Sequence, residues 1–367
     1  MTPKADGVAF ALNAAPASLL AGAGADLAAD PVFNRAPDDW ARIEDAPRLT
    51  EARCELLREI QIADETGDRR TIHIPAERPL TVFVDKRELV TLMTLGAMPE
   101  LLVLGYLCNQ RLIASAAELE SITVDWEVGA AAVKTRAGLA DLEEKTAHRV
   151  VTTGCGQGTV FGDLMTQVDA LTLPSARIAR IRQSLLYRML ETMRGQRSIH
   201  RKAGSVHGCA LFQGDVAVDA LVADGQGPDQ GQHHGQHHGQ HQGQHQGQHQ
   251  VPGPAGAMLM FVEDVGRHNA IDTITGWMAL HGIRGADKVF YTTGRLTSEM
   301  VMKAAQIGVP IIVSRNGVTA MGHEMAQKLG MTLFGRAANR HFLCYTGFER
   351  FDAEPEPQRP PVRVVVG

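Results

Sequence analysis

Residues 258–272 read MLMFVEDVGRHNAID, and this stretch decides the fold class. The apolar run 258–262 predicts a buried strand, and the polar run from Glu263 leads through Gly266 into a helical pattern that continues to about His281. The same alternation of strand and helix continues through 289–293, 294–300, 309–314, 318–329 and 332–340. Short apolar strands that alternate with helices are typical of an α/β layered domain, and we expect its sheet to be substantially parallel.

Arginines follow several of these predicted strands directly. In open α/β sheets, ligands bind beyond the carboxyl ends of the strands. Each such arginine alone would be an ordinary surface residue, whereas several in equivalent positions indicate one anionic, phosphate-bearing ligand. The residues concerned are Arg267, Arg295, Arg315, Arg336 and Arg340.

A second, smaller unit precedes this domain. Residues 69–84 alternate with the two-residue period of half-buried strands, and residues 98–113 predict a helix that starts near Pro99 and packs Cys108 into the core. We therefore predict an N-terminal α+β domain over 56–150. The remaining predicted segments are a disordered extension over 1–55, a cysteine loop over 151–165, the larger domain over 166–350, with a helix over 176–195 and a strand over 204–212, and a tail over 351–367.

The candidate nucleophile lies between these units, where residues 151–163 read VTTGCGQGTVFGD. The β-branched run predicts a strand that leads Cys155 into a loop, and the flanking glycines leave the sulfur uncovered. Consecutive backbone amides in such a loop favour the thiolate, which is the reactive form of cysteine. The other interpretation, a merely structural loop cysteine, stays open from these residues alone.

Composition excludes several classes of protein. A formal net charge of -5 over 367 residues provides no general basic surface for nucleic acid or anionic membranes. The five cysteines are odd in number and include no CxxC pair, which argues against a disulfide framework or a zinc ribbon and indicates a reducing compartment. No apolar run reaches the ~18 residues of a membrane-spanning helix, and the N-terminus makes a poor signal peptide. We expect a cytoplasmic protein.

A histidine-rich tract interrupts the larger domain. Residues 225–256 consist mainly of Gly, Gln and His, and a packed core cannot form from this composition. We predict a disordered insertion over 224–257. The tract would chelate Ni²⁺ or Zn²⁺ when these ions are offered, so a metal store is a further, weaker hypothesis.

The common enzyme templates do not fit. Zinc nucleobase deaminases require a His-x-Glu and a Cys-x-x-Cys, whereas His207 is followed by Gly208 and Cys209. The GxSxG, P-loop and GxGxxG motifs are absent as well. A Cys–His hydrolase would need an imidazole near the cysteine loop, and the sequence cannot choose between its candidates, His207, His268, His323 and His341.

Five motifs in order carry a resemblance to a known family. They are VTTGCG (151–156), GSVH (204–207), EDVGRHNAID (263–272), TGRLTSEMVMKAA (293–305) and LFGRAANR (333–340). Together the motifs resemble the formate dehydrogenase accessory sulfurtransferases, the FdhD family. The match covers roughly residues 70–348 without the histidine-rich tract, and the Glu263 motif is its most specific part.

The resemblance implies a fold and an activity. It implies a cytosolic homodimer whose larger domain is a cytidine deaminase-like layered domain with a mixed sheet and without the zinc site. It also implies that Cys155 accepts sulfane sulfur from a cysteine desulfurase as a persulfide. The sulfur then passes to the molybdenum (or tungsten) bis-guanine-dinucleotide cofactor before that cofactor enters formate dehydrogenase.

The resemblance further implies which residues bind the cofactor, while no resident metal is expected. Many family members have a second loop cysteine where this chain has Gly158, so a relay through a single cysteine is the mechanism left open. Gln110 and Thr273 also depart from the family pattern. A non-catalytic chaperone for the cofactor is the alternative function. The residues implied in cofactor binding are Arg336, Ala337, Ala338, Asn339, Arg340, His341, Arg267, His268 and Arg295.

Overall fold

The first part of the described chain is anchored on the core of the protein. The computed structural model describes residues 40–138, 149–152, 158–161, 171–215 and 253–354. The rings of Trp40 and Trp277 meet edge-on at 5.3 Å between centroids, and the Ile43 N–H donates to the Leu280 carbonyl (2.9 Å). The expectation of disorder over 1–55 is therefore wrong from residue 40 onwards, because its scattered apolar side chains pack against distant helices.

The N-terminal unit contains a hairpin, a five-stranded sheet and one helix. In the sheet the order is β1-β6-β7-β4-β5, and the hairpin pairs β2 with β3. The predicted strands at 69–84 and the helix that starts at Pro99 are confirmed. The elements are β1 (Arg48–Leu49), β2 (Leu57–Ala63), β3 (Arg69–Pro75), β4 (Arg78–Val84), β5 (Arg87–Thr94), α1 (Pro99–Asn109), β6 (Leu119–Asp125) and β7 (Ala130–Thr135).

The larger unit follows a two-stranded hairpin, β8 (Arg149–Thr152) and β9 (Gly158–Phe161). Its helices are α2 (Gln183–Gly195), α3 (Ile199–Ala203), α4 (Arg267–Leu280), α5 (Ser298–Gln306) and α6 (Ala320–Leu329). Its strands are β10 (Ile181–Arg182), β11 (His207–Gln213), β12 (Met258–Asp264), β13 (Lys288–Thr292), β14 (Ile311–Ser314), β15 (Thr332–Ala338), β16 (His341–Thr346) and β17 (Phe351–Asp352).

Two predicted features of this unit need correction. The helix expected over 176–195 begins only at Gln183, because the two preceding residues form β10 and pair in parallel with β17. That pairing also gives an ordered structure to the first residues of the expected tail, 351–367. A helical period within 176–182 cannot reveal a partner strand about 170 residues away.

The main sheet is mixed, with strand order β12-β11-β13-β14-β15-β16. Only β13, β14 and β15 run parallel to one another, whereas β11 is antiparallel to β12 and β13, and β16 is antiparallel to β15. The expectation of a substantially parallel sheet is thus correct only for the centre. Parallel pairs require a crossover helix, and no helical pattern separates β15 from β16.

Helices cover both faces of this sheet. Apolar side chains of α2 pack with one face, around Phe212 and Phe334. The other face joins a cluster that includes α1, α4, α5 and the buried side of the N-terminal sheet, so both units share one hydrophobic core. The layering fits an α/β fold, while the finer cytidine deaminase-like arrangement and the domain boundaries stay predictions.

Candidate functional site

The cysteine loop is bounded by two paired strands. β8 and β9 are antiparallel, and Thr152 lies opposite Gly158. Cys155 and the residues beside it, 153–157, lie outside the described residues. The predicted strand before the cysteine is confirmed, and the connection that carries Cys155 joins the two ends of a hairpin.

The other four cysteines are poor nucleophiles. Burial raises the thiol pKa of Cys108 and Cys209 to about 12 and that of Cys344 to about 11, and it also raises the pKa of Cys54. Cys209 is fully buried and donates to the Thr292 hydroxyl (3.2 Å). Cys108 packs against the core, as predicted. These four side chains therefore stay protonated thiols near neutral pH.

Several predicted site residues meet at one edge of the main sheet. β13 and β14 run parallel and end side by side at Thr292 and Ser314. β12 ends at the same edge, because its last residue, Asp264, pairs with His207, the first residue of β11. The sequence that follows each strand end is thus brought to the edge at which ligands of open α/β sheets bind.

Two of the post-strand arginines lie close enough to His207 to lower its pKa. Arg267 is 4% exposed and begins α4, whereas Arg295 is exposed. The imidazole of His207 has a lowered pKa because it is partly buried, and Arg267, His200 and Arg295 lower the pKa further. We call these residues the edge cluster: His200, His207, Arg267 and Arg295. The two guanidinium groups give this end of the sheet a positive charge, and an anion bound here would relieve their mutual repulsion.

The glycine of the TGR motif makes room for Arg267. A Cβ added at Gly294 would lie 2.8 Å from Arg267 Cδ, which is closer than such atoms approach in proteins. The loop is otherwise fixed by short hydrogen bonds: the Ser314 hydroxyl donates to the Gly294 carbonyl (2.6 Å), and the Gly294 N–H donates to the Thr292 hydroxyl (3.0 Å). The side chain of Arg267 therefore packs directly against the backbone of this loop at Gly294.

Two carboxylates at the end of β12 fix the surrounding chain. Asp264 accepts hydrogen bonds from the Thr94 hydroxyl (2.5 Å), the Leu95 N–H (3.1 Å), the Gly266 N–H (3.0 Å) and the Asn269 side chain (2.8 Å). Burial raises its pKa to about 6 in spite of these donors. Asp264 thus ties the end of β5 to the start of α4.

Glu263 has a similar role towards α3. Its carboxylate accepts from the N–H groups of Ile199 (2.5 Å) and His200 (3.1 Å), which begin that helix. Burial raises its pKa to about 7. The contact positions His200 within the edge cluster.

His268 follows Arg267 in the first turn of α4 and is buried. Its Nε2 lies 3.2 Å from Glu299 Oε2, and its side chain is 5% exposed. Burial lowers its pKa to about 2, and Lys303, Arg267 and His207 act in the same direction, so the imidazole is neutral. The structure therefore gives His268 a buried position in which it supports the helices that carry the edge cluster.

A buried ion pair continues this network into the core. Lys303 Nζ donates to both carboxylate oxygens of Asp272 (2.8 Å each), and the Asn109 side chain donates to one of them (2.6 Å). Burial raises the pKa of Asp272, and the neighbouring Lys303 opposes this shift. The network links α1, α4 and α5.

The segment 336–341 covers the end of β15, the two-residue turn 339–340 and the first residue of β16, and we call it the β15–β16 connection. Arg336 has a positive φ of 52° and its N–H donates to the Asn316 carbonyl (2.8 Å). Ala337 is buried against the α2 face of the sheet, whereas Arg340 is exposed and lies over the Tyr187 ring, 5.7 Å from its centroid. The remaining predicted residues of this connection, Ala338, Asn339 and His341, are exposed.

Four of the five arginines fall into two groups. Arg267 and Arg295 lie near His207. His207 shares a face of β11 with Cys209, which packs in the cluster that contains α4. Arg340 lies near Tyr187 of α2, and Arg315 lowers the pKa of Tyr291, whose ring packs on the α2 face. A ligand that contacts both groups would have to extend across the edge of the sheet.

The described residues also limit other interpretations of the site. Within them, no three His, Cys, Asp or Glu side chains are grouped so that they could hold a metal ion. None of their helices is both long enough and apolar enough to cross a membrane. The histidine-rich tract, the metal store of the weaker hypothesis, lies outside them except for residues 253–256.

The sequence analysis missed the residues that support the site. Glu299 and Lys303 lie within a quoted motif, but nothing in their spacing shows that both are buried. Glu263 and Asp264 directly follow an apolar strand, and two carboxylates at that position are a usable signal. Their place in a polar run after a strand does not show, however, that both carboxylates are buried and accept hydrogen bonds from backbone N–H groups.

Comparison with known proteins gives one family. The model of the FdhD/NarQ family matches residues 75–224 and 228–352. A sulfur carrier protein FdhD from Bacillus licheniformis is 29% identical over 280 residues, which is 75% of this chain and 88% of that protein. The protein of the same description from Bacillus subtilis is 28% identical over 277 residues, with the same shares.

A solved structure is similar in fold. It is described as a formate dehydrogenase accessory protein from Desulfotalea psychrophila and is 21% identical, with a TM-score of 0.56. The match covers 81% of this chain and 98% of that one. At this level of identity the likeness concerns the fold.

Proposed function

Because the chain belongs to the FdhD/NarQ family, we propose that it is a sulfur carrier that acts through a persulfide on Cys155 and is required for formate dehydrogenase activity. Relatives that match three quarters of the chain are named sulfur carrier proteins. The observation that carries the assignment to Cys155 is the state of the other cysteines: burial raises the thiol pKa of all four. The loop cysteine is left as the nucleophile.

The first step is a thiol–persulfide exchange with a cysteine desulfurase. The Cys155 thiolate attacks the outer sulfur of the donor persulfide, and the donor S–S bond breaks. The electron pair of that bond leaves with the inner sulfur of the donor as a thiolate. Cys155 then carries the sulfane sulfur, and the exchange needs no oxidant.

The acceptor is the molybdenum (or tungsten) bis-guanine-dinucleotide cofactor, bound as cargo. Its pyrophosphate groups are anions that arginines recognise well. The edge cluster supports this part of the proposal, because Arg267, Arg295 and His207 gather where ligands of α/β sheets bind. The exposed Arg336 and Arg340 extend the binding region along the β15–β16 connection, which we propose as the cofactor-binding loop.

Several further expectations belong to the same proposal. The chain acts as a sulfurtransferase in the cytoplasm, as a homodimer, and delivers the sulfurated cofactor to formate dehydrogenase. Its larger domain has a cytidine deaminase-like arrangement, which helices on both faces of a mixed sheet support. Gly158 replaces the second loop cysteine of many relatives, so one thiol carries the sulfur through both transfers.

The thiol is tested by mapping the persulfide. Incubation with a cysteine desulfurase, pyridoxal phosphate and L-cysteine is expected to place sulfane sulfur on Cys155, as measured by mass spectrometry of the peptides. Cys344→Ala is the matched control and is expected to load normally, because the pKa of its thiol is about 11. Absence of sulfane sulfur from Cys155, or full activation of formate dehydrogenase by Cys155→Ala, contradicts the relay.

The cargo site is tested separately with GDP, which contains a guanine and a diphosphate. Arg295→Ala is expected to weaken GDP binding roughly tenfold in calorimetry, because a charge-assisted hydrogen bond is lost. Arg284→Ala, an exposed arginine just before β13 at the other end of the strand, is the control. Equal effects of both variants would remove the edge cluster from the proposal.

The same pair of experiments distinguishes the alternative function, a chaperone that only binds and delivers the cofactor. The edge cluster favours cargo binding irrespective of any thiol chemistry. If Cys155→Ala binds GDP and also supports sulfuration of the cofactor, the chain is a chaperone. If it binds GDP and loses sulfuration, the chain is a sulfurtransferase.

A further inference from the structure

The ring of Tyr187 contacts the guanidinium group of Arg340. Tyr187 lies in the second turn of α2 and is half-buried, whereas Arg340 belongs to the β15–β16 connection and is exposed. Arg340 Cζ lies over the ring, 5.7 Å from its centroid. A cation over the face of an aromatic ring is attracted by the negative charge of that face. The place of the ring therefore favours one position of the guanidinium group.

The hydroxyl group of Tyr187 is held by Gln183. The Gln183 amide nitrogen donates to Tyr187 Oη (2.8 Å). The two residues are four positions apart on α2, so they lie on the same side of the helix. The amide oxygen of Gln183 is occupied as well, because it accepts from the Glu354 N–H (3.2 Å). Since both ends of the amide have a partner, one orientation of this side chain is favoured.

Glu354 fixes the first turn of α2 against the residues that follow β17. β17 pairs in parallel with β10, which directly precedes α2. Beyond that pairing, the Glu354 carboxylate accepts from the Ser184 N–H (2.6 Å). The first N–H groups of a helix have no partner within the helix, so this carboxylate satisfies one of them. The end of the chain that the structure describes thus reaches Tyr187 through Gln183.

An aromatic group holds the ring of Tyr187 from the side of the main sheet. The Phe342 ring of β16 lies 5.9 Å from that of Tyr187 and 5.4 Å from that of Phe351 in β17, measured between centroids. Phe334 of β15 lies 5.4 Å from Phe342 as well. Aromatic rings at these separations attract one another. Tyr187 is therefore fixed at its hydroxyl by Gln183 and at its ring by Phe342.

The backbone of the β15–β16 connection is strained at two residues. Arg336 and Asn339 have positive φ angles, 52° and 55°. This conformation is uncommon for residues other than glycine, and asparagine adopts it more readily than arginine does. Strained residues persist where the surrounding structure holds them, and they cluster at ligand-binding sites. The contact between Arg340 and Tyr187 is one of those that hold this connection.

We propose that Gln183 is a positioning residue for the cargo. Gln183 fixes the ring of Tyr187, and the ring places the Arg340 guanidinium group where it binds a phosphate group of the cargo. The proposal rests on the proposed function, in which the β15–β16 connection is the cofactor-binding loop. A guanidinium group that is already held in place loses less freedom on binding, so the affinity is higher. The affinity of the loop thus depends on Gln183 and Glu354, which act through Tyr187.

Calorimetric titration of the full chain with GDP measures this dependence. Gln183→Leu removes the amide, and Tyr187→Phe removes only the hydroxyl group that the amide holds. Both variants are expected to bind GDP roughly fivefold more weakly, because the guanidinium group must then be ordered on binding. Gln327→Leu, at an exposed position of α6, is the matched control and is expected to bind normally. Thermal unfolding of each variant shows that it is folded.

A double-mutant cycle separates the positioning of Arg340 from a general structural effect. Arg340→Ala is expected to weaken GDP binding about tenfold, since a charge-assisted hydrogen bond is lost. In that background, Gln183→Leu is expected to cause no further loss of affinity, because Gln183 acts through Arg340. If the two losses add instead, Gln183 acts in another way and the proposal falls.

The single variants can also overturn the proposal. It falls if Gln183→Leu and Tyr187→Phe both bind GDP like the unmodified chain, and it falls if only Gln183→Leu binds more weakly, since the amide would then act without the Tyr187 hydroxyl. In these cases GDP binding by the unmodified chain leaves the proposed function intact. An unmodified chain that does not bind GDP would remove the cargo site, and the positioning role of Gln183 with it.

Discussion

At the scale of single residues, the carboxylates at the end of β12 determine how the edge cluster is held. Glu263 accepts hydrogen bonds from the first N–H groups of α3. Asp264 accepts hydrogen bonds from the end of β5 and from the start of α4, and so joins these two elements. Neither side chain reaches solvent, since both are at most 4% exposed. Their burial gives the protein a pH-dependent stability that its overall charge does not indicate.

The free energy of unfolding is expected to fall between pH 5 and pH 8 because of Glu263. Its folded pKa is about 7, above the value of 4.5 for an unperturbed glutamate. A raised folded pKa stabilises the protein fully below pH 4.5, and this contribution is lost as the pH rises through 7. We therefore expect the free energy of unfolding, measured with urea, to fall less between pH 5 and pH 8 in Glu263→Gln than in the unmodified chain. The difference between the two falls should be about 2 kcal/mol.

The matched control for this prediction is Glu127→Gln, which replaces an exposed carboxylate in the turn between β6 and β7. It should show the same pH dependence as the unmodified chain. A Glu263→Gln variant with an unaltered pH dependence would mean that this carboxylate is ionised as readily in the folded protein as in the unfolded one.

At the scale of elements, the contact between α1 and α4 joins the N-terminal unit to the main sheet. Two glycines allow the helix backbones to touch. A Cβ at Gly105 would lie 1.7 Å from the Asp272 carbonyl oxygen, and one at Gly276 would lie 2.0 Å from that of Leu101. The buried hydrogen bond from Asn109 to Asp272 then fixes the register of the two helices (2.6 Å).

Gly105→Ala is expected to destabilise the protein by about 1–3 kcal/mol or more, because one added methyl group must separate two packed helices. Gly195→Ala is the matched control: it ends α2 with no atom within 4 Å of the added Cβ. That substitution is expected to be neutral or slightly stabilising, since alanine favours helix. Urea denaturation of the two variants measures both effects, and similar values would contradict tight packing at Gly105.

At the scale of the whole molecule, the chain from Trp40 to about residue 55 fastens the two units together. β1 extends the N-terminal sheet by pairing with β6, while Trp40 covers the buried Trp277 of α4. The Ala52 N–H donates to Glu100 at the start of α1 (2.7 Å). One short segment thus contacts both helices at the end of the α1–α4 contact where α1 begins and α4 ends.

We expect a chain that begins at Trp40 and a chain that begins after residue 55 to differ in thermal stability. The longer deletion exposes Trp277 and removes an edge strand, so its melting temperature should be lower by roughly 5 °C or more. The shorter deletion retains all of these contacts and serves as the control. Equal melting temperatures in a thermal scan would show that the segment adds no stability.

Local patterns in the sequence predicted most elements of this fold. Alternation over 69–84 predicted β3 and β4, and Pro99 marked the first residue of α1. The predictions were wrong where a distant partner decides the conformation, as for β10 with β17 and for Trp40 with Trp277. A window of about a dozen residues contains the helical or strand period and nothing about such partners.

The sequence by itself determined the alternation of strands and helices, the family through five ordered motifs, and Cys155 as the thiol beside glycines. Only the tertiary structure decided that Arg267 and Arg295 act on His207 while Arg340 lies over Tyr187, and that four other cysteines stay protonated. The physical reason is that burial sets the pKa of a group, and long-range strand pairing sets which residues surround it. Neither quantity is a property of a residue and its adjacent sequence.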